Sequence, residues 1–353
     1  MELRHVELSV AGNEASDLLP VHDRGVLDVH DAERSFWTVL DEGPVEACVA
    51  LLVQHRDGSW SAHHQGLDAG GETRRTADGE ALAWRDGWVY VVGSHFGSKA
   101  GPLRPRRAFF GRFREAAAAG PTSPALTVVR NQFRLHRAIN DALAAADITP
   151  LPPGDRVNRS FIVQTRSRGV ARRKGWVDRI AEGDLPLNVE AAAFTPGGTL
   201  LLGLRYPVSS AGEPILIEVD GVDGMFDADP RTWPTVVRAH VVAGVTPPGT
   251  LTGFRALTAT GSGSYEAVVG SIDATGKGSV LLDDHPEGGD VTCRHVAFRL
   301  DTGAVAVPAS VVEELPFHNV EGLAVSGDHF YVTDEDHRIA VWTSGSASPA
   351  PMV

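Results

Sequence analysis

One arrangement recurs along the 353-residue chain: a short apolar strand, a turn, then a second strand rich in Val, Tyr, Leu and Phe. It occurs at 25–40 (GVLDVHDAERSFWTVL), 80–93 (EALAWRDGWVYVVG), 190–203 (EAAAFTPGGTLLLG), 255–270 (RALTATGSGSYEAVVG) and 321–334 (EGLAVSGDHFYVTD). Aligning Leu27, Leu82, Ala192, Leu257 and Leu323 gives separations of 55, 110, 65 and 66 residues. A period of that size accommodates four short strands and their turns, the content of one propeller blade.

The doubled interval holds either a sixth, degenerate blade or an insertion. The insertion is the favoured reading, because this stretch carries the convincing helix. Leu135, Ile139 and Leu143 recur every four residues across 133–146, Asn131 can cap the start and Pro150 follows the end. Further on, Ser160 to Thr165 (SFIVQT) reads as a further strand. The expected fold is all-β: a β-propeller of five or six four-stranded blades in one domain over 1–343. A basic insertion at 115–180 carries a helix near 131–148, and a flexible tail occupies 344–353. The last blade shows only three strands, so the apolar stretch at 3–10 is expected to supply the fourth. That would close the ring and cover an edge that invites pairing.

Composition narrows the partners. The net charge of −13 argues against generic nucleic-acid binding. No run approaches the roughly 18 apolar residues of a membrane span, and Glu2, Glu7 and Glu14 interrupt the N-terminus, so it is no secretory signal. Cys48 and Cys293 provide neither a disulfide framework nor a thiolate zinc site, and both fall in apolar strands. A cytoplasmic, bacterial monomer is expected, the preference for Arg over Lys (29 of 32 cations) suiting a GC-rich genome. Charge is unevenly spread: Lys99 to Arg179 holds 17 of the 32 basic residues and 5 of the 45 acidic ones. This basic stretch either neutralises the acidic body or draws an anionic ligand toward the channel.

Propeller geometry places the start of each blade's first strand and the end of its second at the same mouth of the central channel. Two residues before the aligned positions stand Gly25, Glu80, Glu190, Arg255 and Glu321; thirteen after them stand His95, Arg205 and Asp336. His22 and His318 are expected on the incoming loops nearby. Converging carboxylates raise one another's pKa and need compensation from a metal ion, the Arg255 guanidinium or a shared proton. A hard cation such as Ca²⁺ suits Glu80, Glu190 and Glu321, with amide carbonyls from Asn188 or Asn319. Alternatively each Glu accepts backbone N–H groups from the next blade. His95, Arg205 and Arg255 form a candidate catalytic set, His95 as an acid or base titrating near neutrality. Arg205 and Arg255, with Asp336 and His318, are the candidate substrate contacts; Arg205 could instead simply neutralise Glu190. The cluster at 334–337 (DEDH) lacks the spacing of a calcium loop and reads as a solvated turn.

No Gly-x-Ser-x-Gly or His-Glu-x-x-His motif occurs, and 276–279 (GKGS) lacks the preceding glycine of a phosphate loop. The motifs that are present resemble those of an uncharacterised family of bacterial propeller proteins that are distantly phytase-like. That family repeats Ile-Glu-Gly-Leu-Ala, followed by Gly-Ser-His after one second strand and Gly-Leu-Arg-x-Pro after the next. The matching residues are Glu80-Ala81-Leu82-Ala83 with Gly93-Ser94-His95, Asn188-Val189-Glu190 with Gly203-Leu204-Arg205-Tyr206-Pro207, Arg255-Ala256-Leu257, and Val320-Glu321-Gly322-Leu323-Ala324. The resemblance implies the propeller fold and brings no settled activity. Calcium-dependent lactonases and phytase-like phosphoesterases are similar in holding carboxylate–metal sites at the channel mouth. The expected activity is thus metal-dependent hydrolysis of a phosphoester or lactone on a small anionic molecule, the alternative being a non-catalytic propeller that binds a ligand or protein partner.

Overall fold

Short turns with left-handed backbone set the register of the repeats. Asp86 (φ 51°) and Gly87 (φ 76°) form a two-residue hairpin loop between the paired Arg85 and Trp88, and such loops suit the natural twist of two strands. Gly263 serves another two-residue loop, between the paired Gly261 and Ser264, and Gly327 stands alone between the paired Ser326 and Asp328, both with positive φ. The computed structural model describes residues 3–10, 14–40, 43–227, 233–276, 278–300, 303–335 and 338–345.

Strand β1 (Leu3–Leu8) stands apart from the first sheet, β2 (Ala15–Pro20), β3 (Ala32–Leu40), β4 (Val49–His55) and β5 (Trp60–His64). The second sheet is β6 (Gly79–Arg85), β7 (Trp88–Gly93), β8 (Phe109–Arg114) and β9 (Thr127–Arg130). Next come β10 (Asn188–Phe194), β11 (Leu200–Val208), β12 (Pro214–Asp220) and β13 (Thr235–Ala243), then β14 (Gly253–Gly261), β15 (Ser264–Gly270), β16 (Arg294–Arg299) and β17 (Ala306–Glu314). These two runs merge into one eight-stranded sheet, because β13 pairs in parallel with β17 from Val241↔Ala306 to Ala243↔Pro308. The last sheet is β18 (Val320–Ser326), β19 (Asp328–Glu335) and β20 (Arg338–Ser344), completed by β1, which pairs antiparallel with β20 from Leu3↔Ser344 to Leu8↔Ile339.

The first strands touch in a closed cycle, β2 to β6 to β10 to β14 to β18 and back to β2. Small residues such as Ala81, Ala191 and Ala256 let them approach, and apolar side chains between neighbouring sheets form the core. The architecture is all-β and propeller-like. No helix among the described residues is long and apolar enough to cross a membrane.

Three local expectations are corrected. The segment at 25–40 is not strand–turn–strand: α1 (Arg24–Val29) is a helix, started by Asp23, whose side chain accepts from Val26 N at 3.2 Å. The inner strand of the first sheet is instead Ala15–Pro20, whose first four residues are buried. The stretch at 160–165 is helical rather than extended. After α2 (Arg134–Ala145) the chain runs through α3 (Asp155–Val157), a π-helical segment (Asn158–Val163) and α4 (Gln164–Ala171), and Phe161 and Ile162 are buried. They join Phe96, Leu103, Phe133, Tyr206 and Leu281 in an apolar cluster. Gly101 lies against this helical stretch so closely that a Cβ would sit 2.3 Å from Ser160 O. Cys48 and Cys293 are buried immediately ahead of β4 and β16, not within strands.

Candidate functional site

Each inner strand breaks register next to its start. The shifts fall between Ser16 and Leu19, Gly79 and Ala81, Val189 and Ala191, Phe254 and Ala256, and Val320 and Gly322. An extra residue at a bulge leaves the ladder and re-aims its side chain. The residues so placed are Asp17, Glu80, Glu190, Arg255 and Glu321. Four of them are the positions expected from sequence; the fifth is Asp17 and not Gly25, which lies in α1.

The ring balances its own charge. Arg205 Nη1 donates to Glu190 Oε1 at 3.0 Å, Asn188 Nδ2 donates to the same oxygen at 2.9 Å, and Arg205 Nε donates to Ser271 O at 3.2 Å. Burial alone would weaken the Arg205 cation, but the charges of Glu190, Glu321 and Asp273 outweigh it and raise its pKa. Arg255 Nε donates to Val320 O at 3.0 Å and its Nη2 to Glu321. Asp17, 1% exposed, accepts from Leu18 N at 2.8 Å and Leu82 N at 2.6 Å. Burial pushes its carboxyl up to about 7, the two amides pull it down, and the charge of Glu190 pushes it further up. Glu80 is buried at the matching bulge.

The compensation present is therefore two guanidiniums, beside an Asp17 carboxyl whose pKa is raised to about 7. With Glu190 and Glu321 engaged by arginines, and Asn188 donating its amide to Glu190, the set Glu80, Glu190, Glu321, Asn188 and Asn319 fits a calcium ion poorly.

Those of the remaining expected residues that the structure describes do not join the ring. His95 is fully buried, with Nδ1 2.7 Å from Gly93 O and Nε2 against the Asn131 side-chain amide. Burial holds its pKa down at about 4, so it is neutral near pH 7 rather than titrating there. Its left-handed backbone (φ 60°) turns it toward the ring of Phe110 and away from a role as acid or base. His318 is exposed, with Nδ1 3.4 Å from Asp290. Asp336 lies outside the described residues. His22 belongs to the opposite end of the inner strands, where it stacks on Trp84 at 4.2 Å. A cavity of about 430 Å³ opens there, lined by Leu19, His22, Trp84, Phe194, Thr258 and Ser326 among others. Beside it, buried Glu115 accepts from His22 N, Trp37 Nε1 and Trp84 Nε1 at 2.9–3.0 Å.

A second cavity, about 440 Å³, lies between the loop at 101–105 and the end of α4. Arg104, Arg130, Arg168, Arg172 and Lys174 line it, together with Leu103, Pro105 and Trp176, and among the described residues no carboxylate does. Arg130 is paired with Glu72 at 2.6 Å; Arg104, Arg168, Arg172 and Lys174 make no ion pair among the described residues. The charge excess was visible in sequence. The concavity was not, because it depends on an irregular helix packing on a loop from another sheet.

No family model matches the chain, and no curated protein sequence matches it. Solved structures similar to it are propellers at low identity. They include the WD40 β-propeller domain of Doa1 (10% identity, TM-score 0.37, covering 98% of this chain and 96% of that one). An α-L-arabinanase mutant from Cellvibrio cellulosa is 11% identical with a TM-score of 0.41, covering 95% and 92%. A putative gluconolactonase is 10% identical with a TM-score of 0.37, covering 97% and 92%. Likeness at this level carries no functional argument.

Proposed function

We propose that the protein is a five-bladed, phytase-like propeller, the eight-stranded sheet counting as two blades, which acts as a monomer and binds a small phosphorylated or carboxylated molecule in the basic cavity. The carrying observation is that, among the described residues, four cations without ionic partners line a concave space to which no carboxylate contributes. Arginines suit bidentate recognition of such groups, and Leu103, Pro105 and Trp176 offer an apolar wall for the rest of the ligand. The test is calorimetric titration with pyrophosphate and with citrate, comparing the native chain and Arg168→Ala/Arg172→Ala. Binding at least tenfold weaker in the variant, and weakening with salt, supports the reading. Equal binding by both proteins, or none by either, overturns it.

A second reading keeps hydrolysis of a phosphoester or lactone at the ring, and one observation favours it. Asp17 carries a carboxyl poised near 7 between Leu82 N and the charge of Glu190, suited to giving or taking a proton at neutral pH. Arg205 and Arg255 would then hold the anionic substrate. Turnover of p-nitrophenyl phosphate or of a γ-lactone, with and without added Ca²⁺, lost in Asp17→Asn but kept in Arg168→Ala, would place chemistry there.

A further inference from the structure

Glu266, His295 and His329 come together where the eight-stranded sheet meets the last one. Glu266 stands on β15, His295 on the neighbouring β16, and His329 on β19 of the adjacent sheet. His295 Nε2 lies 2.8 Å and His329 Nε2 2.9 Å from the same oxygen, Glu266 Oε2, and the three ligand atoms all fall within 4.8 Å of one another. Two imidazoles and one carboxylate form a donor set suited to Zn²⁺, whose bonds of about 2.0–2.2 Å separate tetrahedral ligands by about 3.3 Å. A small rotation of partly exposed His329 and Glu266 would meet that requirement.

The outer contacts match the demand. Ligating histidines need the second ring nitrogen fixed, and His295 Nδ1 lies 2.9 Å from the Tyr331 hydroxyl. His295 is buried and rigid, whereas Glu266 and His329 reach solvent, which gives an ion a route in and room for a water as fourth ligand. Glu313, paired in register with His295 on β17, adds negative charge nearby. Without an ion the two imidazoles donate to Glu266 and hold its carboxyl down at about 2, against the upward push of burial.

We propose that Glu266, His295 and His329 form a zinc site that ties two neighbouring sheets together, independently of the anion cavity and the ring. On binding, His295 offers its Nε2 lone pair and carries its proton on Nδ1, facing the Tyr331 oxygen.

The test is titration of the chelator-treated full chain with ZnCl₂ by calorimetry, with CoCl₂ as a spectroscopic probe. One equivalent of Zn²⁺ should bind at micromolar concentration or tighter, raise the melting temperature and give Co²⁺ a low-symmetry visible spectrum. His329→Ala and Glu266→Gln should each weaken binding about a hundredfold, and Tyr331→Phe about tenfold. Partly exposed His329 makes His329→Ala a mild change, and its unmodified melting curve without metal verifies folding. Should it fail to fold, Glu266→Gln decides alone. Absence of binding by the native chain, or binding undiminished in the variants, as at the surface imidazoles of His55 and His63, overturns the site.

Discussion

Asp17 Oδ2 accepts the amide of Leu82 at 2.6 Å, fastening the bulge of the first inner strand to the strand of the next sheet. The same carboxyl sits beside Glu190, so the contact that binds two sheets also determines how the ring handles a proton.

Asp17 gives stability a particular pH dependence. Its folded pKa, about 7, lies above the ordinary 3.8, so the folded chain holds the proton more tightly than the unfolded chain. Its contribution is full below about pH 4 and fades as pH rises to about 7, at most about 4 kcal/mol. Urea denaturation at a series of pH values should show Asp17→Asn flattening that decline.

His95 works in the opposite direction over an overlapping range. Its folded pKa is lowered from 6.5 to about 4, because burial disfavours the charged ring more than the Gly93 carbonyl favours it. Stability is full above about pH 6.5 and falls as the pH drops toward about 4, by roughly 3 kcal/mol. His95→Gln should cost stability at neutrality and abolish most of the acid-side loss, in the same denaturation series.

The Glu190–Arg205 pair is buried, and breaking it on one side strands a charge. Arg205→Leu should destabilise by about 3–5 kcal/mol. Adding Glu190→Gln should restore part of that loss, so the double variant falls short of the sum. A double-mutant cycle from chemical denaturation measures the difference.

Glu115 satisfies two indole N–H groups and one backbone amide beside the far cavity. Glu115→Ala takes the acceptor from the buried Trp37 indole and from the part-buried Trp84 indole and His22 amide, and should cost about 1–3 kcal/mol, with Glu115→Gln costing less. Tryptophan fluorescence, reporting on Trp37 and Trp84, should shift in both variants.

The ring at Glu80, Glu190, Arg255 and Glu321 was legible because each bulge keeps a fixed distance from the apolar residues after it. Asp17 was hidden by Gly25-Val26-Leu27, whose apolar look imitates a strand but whose capping by Asp23 makes a helix. The spacing held the signal: Asp17 precedes Glu80 by 63 residues, close to the later 65 and 66. His95 was misplaced because a left-handed residue after a strand reverses its side chain, and nothing in Gly-Ser-His announces that. Glu266, His295 and His329 have no motif spacing; only packing between two sheets makes them neighbours.

Pairing of Leu3–Leu8 with Arg338–Ser344 means that a growing polypeptide cannot finish its circle until residues 338–344 have been made. Leu3–Leu8 waits for that partner through the synthesis of everything between. A ribosome that stalls late would release a chain with every interior sheet present yet gaping at one seam, a product recognisable to proteases by its unzipped rim.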